Sequence, residues 1–287
     1  MKLPTIGRRA LLAGGAACVG AAASPPAAAI RLEKTDGICL VPVLLNGQLA
    51  RLVLDTGAER SIITRAAATR LRLPFDPWVE TTMRGAGGQL ERHPNADIAA
   101  ATIGGAILSQ RALQRGLSLA VTEFDMGGAD GLLGADVLRH FTLALDYPGG
   151  SMALRPPGWQ PAAGAVALTQ LWPDRLLAPV TLNGQPLLAL LDTGAGASLI
   201  NARGMHRLGL TPAAIASDPA AAISAIGGTL PAGVHRFIEF RLGALIVQQP
   251  AILAAYVPEP AFDMTLGLDI LGRQRLLLSW ERQSLIL

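Results

Sequence analysis

Two carboxylates stand out in this sequence as residues whose type and placement could do chemistry. Asp55 lies in LARLVLDTGAERSIIT (49–64) and Asp192 in PLLALLDTGAGASLIN (186–201). In both stretches an aliphatic run delivers Asp-Thr-Gly into a turn and a second aliphatic run leaves it, so each aspartate sits where a buried strand surfaces. Two carboxyls brought close together cannot both ionise cheaply. One holds its proton and the other its charge, which provides a general acid and a general base without a metal or a nucleophilic side chain. Gly57 and Gly194 follow in the turn, where a residue without a Cβ can take positive φ or let another backbone approach closely.

The surrounding pattern predicts the elements that must hold these carboxyls. Asn46-Gly47 is a hairpin signal ahead of the first Asp-Thr-Gly, setting the register of the strand that carries Asp55. Good helix formers follow over 65–72, stopped by Pro74. Further turns are expected at Gly104-Gly105 and Pro148-Gly149-Gly150. The chain then repeats itself. VPVLLNGQLARLVLDTGA aligns with APVTLNGQPLLALLDTGA, with Asn-Gly-Gln and Asp-Thr-Gly in step. Downstream, Gly87 and Gly88 meet Gly227 and Gly228, FDM at 124–126 meets FDM at 262–264, Gly134 meets Gly267, and Leu154 meets Leu287. A register kept over this length marks a duplication. It divides the chain into a leader (1–29), a first lobe (30–154), a Pro- and Gly-rich linker (155–164) and a second lobe (165–287).

The aliphatic run ending in Asp-Thr-Gly-Ala resembles the signature of the retropepsin-like aspartic proteases. LLGADVL (132–138) and TLGLDIL (265–271) resemble that family's second motif. The resemblance implies an all-β protein with short helices, built as two tandem β-barrel lobes of the pepsin or acid-protease type. It also implies a catalytic dyad of Asp55 and Asp192, with Thr56, Gly57, Thr193 and Gly194 supporting its geometry. MRGAGGQLERH (83–93) and SAIGGTLPAGVH (224–235) fall where the family carries its flap, which points to Gly85, Gly87, Gly88, Gly227 and Gly228 as flap glycines. The implied activity is peptide-bond hydrolysis by an exported aspartic-type endopeptidase acting on a polypeptide, with no cofactor. The alternative is a non-catalytic exported peptide-binding protein on the same fold. One chain supplies both lobes, so the expected state is a monomer in which the lobes form an intramolecular pseudo-dimer. Asp136 and Asp269, in the second motif, are expected as helix caps or turn residues. The pattern departs from the family at Glu59 and Gly196, where many members have Asp in both copies.

The first 29 residues have a basic start, an Ala/Gly/Leu-rich middle and small residues at their end, the grammar of an export signal. Arg8-Arg9 resembles a twin-arginine signal, which predicts a periplasmic mature protein. Cys18 is the alternative, a lipid attachment site, though Gly15, Ala16 and Ala17 before it fit a lipobox poorly. No later stretch is long and apolar enough to span a membrane, so no stable insertion is expected after leader removal. Formal net charge is +3, with Lys2, Arg8 and Arg9 in the leader. The remainder is near neutral, and aromatics are 4% of the chain, a poor basis for nucleic-acid binding. Cys39 is the one cysteine beyond Cys18, so the mature chain has no internal disulfide. No metal site is expected. His93, His140, His206 and His235 lack ligand-like spacing, and Glu123, Asp125 and Asp130 lack the full calcium-loop pattern.

Overall fold

The computed structural model describes residues 29–84, 90–108, 117–157, 159, 164–171, 174–225, 228–258 and 261–287. Residues 1–28 of the leader, half of the linker (158 and 160–163) and four of the five expected flap glycines (85, 87, 88 and 227) lie outside these residues, and Gly228 lies within them. The described chain is mostly β-strand with a few short helices, and its sheets curl as half-barrels. Two ten-stranded sheets have the same strand order, and a six-stranded sheet joins them.

Local sequence accounts for each lobe's central hairpin. Strand Ile38–Leu45 pairs antiparallel with Gln48–Leu54, and Arg175–Leu182 with Gln185–Leu191. Both turns are Asn-Gly with positive φ at both residues, 47° and 80° in the first and 50° and 77° in the second. This is the primed geometry whose twist matches that of the flanking strands, and Asn followed by Gly adopts it at low cost. The closing pairs are Leu45 with Gln48 and Leu182 with Gln185. That register buries Leu52, Val53 and Leu54 in one lobe and Ala189, Leu190 and Leu191 in the other. The strands leading to both aspartates are therefore anchored by their apolar side chains.

A third strand threads beside each signature strand. Gly131–Leu133 runs parallel to Gln48–Leu54 and antiparallel to Ile62–Thr64. Met264–Leu266 does the same between Gln185–Leu191 and Leu199–Ile200. The hairpins at the expected flap positions are Phe75–Arg84 with Leu90–Ile98, and Ala220–Ala225 with Gly228–Arg236. The first carries a register shift between Asp76 and Glu80. The short helices are Arg65–Arg70, Ala135–Leu138, Ala202–Arg207, Pro212–Ala216 and Leu268–Leu271. Thr64, Asn201 and Thr211 cap three of them by accepting from backbone N–H groups.

The joining sheet runs Ile30–Arg31, Ser151–Arg155, Thr142–Asp146, Arg275–Ser279, Ser284–Ile286, Val166–Ala167. Its central pair is antiparallel, with Ala144 opposite Leu277 at the middle of the register. The repeat relates these two residues to each other, as it does Leu154 and Leu287, so the pairing is symmetric about them. Arg155, the first residue of the expected linker, is the last residue of a strand in this sheet. Apolar side chains from both lobes, including Leu143, Leu145, Leu276 and Leu278, form one continuous core with those of the curled sheets.

Candidate active site

Asp55 and Asp192 leave their strands at the same point of each lobe. The Asp55 N–H donates to Leu133 O at 3.1 Å and the Asp192 N–H to Leu266 O at 3.1 Å, the last rungs of the parallel ladders. Each turn then folds back on its own carboxylate. Gly57 N–H and Ala58 N–H donate to Asp55 Oδ1 at 2.9 and 2.8 Å. Gly194 N–H and Ala195 N–H donate to Asp192 Oδ1 at 2.9 and 3.0 Å. The two carboxyls lie within hydrogen-bonding reach of one another.

Thr56 and Thr193 cross-link the lobes directly beneath. The Thr56 hydroxyl donates to Leu191 O at 2.8 Å and accepts from Thr193 N–H at 3.1 Å. The Thr193 hydroxyl donates to Leu54 O at 2.7 Å and accepts from Thr56 N–H at 3.1 Å. Four hydrogen bonds between buried groups thus tie each signature strand to the opposite lobe. The glycines complete the reciprocity. A Cβ on Gly57 would lie 2.4 Å from Asp192 Cγ, and one on Gly194 would lie 2.3 Å from Asp55 Cγ. Neither glycine has a positive φ, so the close approach of the opposite carboxyl, not backbone conformation, is what demands glycine here.

The electrostatics follow from this enclosure. Burial, then the neighbouring Asp192 charge, pushes the Asp55 carboxyl well above the usual carboxylate range, against the backbone donors of Ala58 and Gly57. Burial also raises Asp192. The Gly194 and Ala195 N–H groups, the hydrogen bond with Asp55 and the Arg175 charge oppose that rise.

The second motifs support the turns that carry the aspartates. A Cβ on Gly134 would lie 2.7 Å from the Arg60 carbonyl carbon, and one on Gly267 would lie 2.6 Å from that of Ala197. Asp136 and Asp269 differ from expectation. The N-cap residues of their helices are Gly134 and Gly267, and neither helix has a side-chain cap. The Asp136 carboxylate instead accepts from Ser61 Oγ at 2.6 Å and Ser61 N–H at 3.0 Å, and Asp269 accepts from Ser198 Oγ at 2.7 Å and Ser198 N–H at 2.9 Å. Each serine hydroxyl also accepts from the motif glycine, Gly134 N–H at 2.9 Å or Gly267 N–H at 3.0 Å. Ser61 and Ser198 were not among the expected site residues. Their signal was present, since both stand six residues after a dyad aspartate and ahead of an aliphatic pair.

Asp130 is the counterpart of Asp263: the strands that follow them, Gly131–Leu133 and Met264–Leu266, hold the same place in each lobe, so the expected match of FDM (124–126) with FDM (262–264) does not hold in the fold. Each accepts from a backbone N–H of a signature strand, Arg51 or Leu188, both at 2.8 Å. Asp130 pairs with Arg70 at 2.6 Å, and Asp263 with Arg203 and Arg207 at 3.0 and 3.2 Å. The acidic group 123, 125 and 130 is engaged in the same way. Glu123 pairs with Arg65, and Asp125 closes its own turn by accepting from Gly127 N–H at 3.0 Å. Among the described residues no group of three or more His, Cys, Asp or Glu could hold a metal ion. Nor is any described helix long and apolar enough to cross a membrane.

Comparison with known proteins agrees with this geometry. A family model described as aspartyl protease matches residues 41–137 and again 178–270, each match running from the central hairpin through the second motif. No curated protein matches the chain. The two matches together take in more than half of the sequence, and the chain belongs to the retropepsin-like aspartyl proteases, carrying the family's unit twice in tandem.

Proposed function

We propose that the protein is an aspartic endopeptidase in which Asp55 and Asp192 of one chain activate a water molecule against a peptide carbonyl. One observation carries this reading: the two carboxyls lie within hydrogen-bonding reach, and each is fixed through Oδ1 by two backbone N–H groups of its own turn. The fixed Oδ1 atoms leave each Oδ2 to share a proton with its partner or to hold water. The ionised carboxyl takes a proton from water as the oxygen attacks the carbonyl carbon, and the protonated one gives its proton to the carbonyl oxygen. The threonine cross-links hold the pair in place, so little reorganisation is needed at the moment of reaction. Because one chain supplies both carboxyls, the catalytic unit is a monomer with a polypeptide substrate.

The test is cleavage of an unfolded protein by the mature chain and by Asp55→Asn and Asp192→Asn variants. Each substitution keeps the shape of the side chain and removes the base or the shared proton, so each should abolish turnover while peptide binding persists. Near-wild-type cleavage by either variant would refute the mechanism. A wild-type chain that binds peptides without cleaving them would establish the peptide-binding alternative. We further propose that the mature chain works in the periplasm, exported through Arg8 and Arg9. Undiminished export after replacing both with lysine would refute that route.

A further inference from the structure

The surroundings of the two carboxyls differ by one charged group. Arg175 opens the strand Arg175–Leu182, has a side chain only 21% exposed, and pairs at 3.2 Å with Glu59 of the opposite lobe. Its guanidinium lies 5.8 Å from the centroid of the Phe262 ring, and its buried Nε has no hydrogen-bond partner among the described residues. The positions related to Arg175 and Glu59 by the repeat are Ile38 and Gly196, which carry no charge. There the backbones close up instead, and a Cβ on Gly196 would lie 3.3 Å from Gly37 O. The neighbouring ion pair is one-sided too. Asp174 pairs with Arg139, while the repeat places Gly37 and Gly272 at the related positions. The hairpin register that pairs Leu177 with Leu190 sets Arg175 beside Asp192, and the matching register of Leu40 with Val53 sets Ile38 beside Asp55, so the repeat places a cation at this position on the Asp192 side alone.

We propose that Arg175 is a positioning residue that gives the dyad a fixed polarity: held by Glu59, it keeps the negative charge on Asp192 and so leaves the shared proton on Asp55. This rests on the reading of the pair as a catalytic dyad. Asp192 is then the base that receives the proton of the attacking water, and Asp55 the acid whose proton passes to the carbonyl oxygen as the new carbon–oxygen bond forms and the carbonyl π bond breaks. The other titratable groups at the site do not compete for this role. Tyr147, reaching in from the joining sheet beside Cys39, is raised by burial, as is the Cys39 thiol, so both stay neutral. Arg139 and Asp174 neutralise each other. The directions of the carboxyl shifts agree, since Asp55 is held well above the usual range by burial and the Asp192 charge, while the Arg175 charge opposes the rise of Asp192.

The experiment is the pH dependence of kcat/KM for the mature chain carrying Arg175→Met, Arg175→Lys or Glu59→Gln. Arg175→Met removes a positive charge and should move the acid limb to higher pH. Glu59→Gln leaves Arg175 unneutralised and should move it to lower pH, and Arg175→Lys should stay near wild type. Both Arg175→Met and Glu59→Gln break the same ion pair, so a merely structural link would move the limb in one direction for both, and that result overturns the proposal. A second arm needs no turnover. With 13C-carboxyl-labelled aspartate, NMR follows the one dyad carboxyl left in Asp55→Asn or Asp192→Asn chains. Adding Arg175→Met should raise the titration of Asp192 and leave that of Asp55 in place, and equal shifts in both overturn the assigned polarity. Turnover surviving both asparagine substitutions would instead overturn the dyad itself, and the inference with it.

Discussion

Replacing Gly57 with alanine tests whether each carboxyl is positioned by the opposite lobe. The new methyl would meet Asp192 Cγ at 2.4 Å and its two oxygens at 2.6 and 2.7 Å, whereas ordinary contact begins at 3.4 Å. The carboxyl must therefore retreat by about 1 Å, a displacement that typically costs on the order of 100-fold in rate. Retreat also pulls Asp192 Oδ1 from the Gly194 and Ala195 donors that hold it at 2.9 and 3.0 Å. The expected loss in kcat/KM is about 100-fold, or about 2.7 kcal/mol of transition-state stabilisation. Because Gly57 has no positive φ, alanine adds no backbone strain, and the variant should fold. The assay is hydrolysis of an unfolded protein or a fluorogenic peptide library, with circular dichroism to confirm folding. Gly194→Ala should act in the same way on Asp55, against which its Cβ would lie at 2.3 Å. A folded Gly57→Ala chain cleaving within about threefold of wild type would refute the reasoning.

Thr56→Val removes a hydroxyl that bonds both Leu191 O and Thr193 N–H in a buried site, so chemical denaturation should show a loss of about 2–4 kcal/mol, and Thr56→Ser should recover most of it. Equal stability of the valine variant and the wild type would mean that these bonds do not hold the lobes together. The dyad also makes a prediction about stability and pH. Both carboxyls are raised in the fold, so the folded chain binds protons more tightly than the unfolded one. The stability this supplies is fully present below the unfolded carboxyl pKa, near pH 4, and is lost as pH rises through the folded values. Asp55→Asn removes the Asp55 share of that decline and should be more stable than wild type at neutral pH, with the advantage vanishing in acid; a variant less stable at neutral pH would contradict it.

What could be read from the sequence was whatever local chemistry dictates. Asn46-Gly47 and Asn183-Gly184 specify their turns through backbone conformation alone, and the aliphatic runs specify strands by burial. The two aspartates are legible because the same tripeptide recurs in register. Asp136 and Asp269 were expected as helix caps or turn residues because a carboxylate in a first helical turn usually serves that end, but their partners Ser61 and Ser198 lie about 70 residues away. Glu59 registered only as a departure from pattern. Its partner Arg175 comes from the other lobe, and no local propensity encodes such a pairing. The six-stranded sheet was hidden for the same reason. Its strands are short, and its register is set by packing between lobes distant in sequence.

That sheet acts as an alignment gauge for chemistry occurring elsewhere. Ala144 faces Leu277 at its centre, and every rung on either side fixes the sliding position of one lobe against the other. A slip of one residue would turn the buried leucines of the ladder toward the wrong face, and a slip of two would translate the lobes by about 7 Å. Either would pull Asp55 and Asp192 apart, and with them the dyad proposed above. The tolerance of the site is thus set by a discrete ladder with no neighbouring setting it can occupy. The hairpins Phe75–Arg84 with Leu90–Ile98 and Ala220–Ala225 with Gly228–Arg236 take no part in that ladder, and the register shift between Asp76 and Glu80 in the first leaves the alignment of the carboxyls untouched.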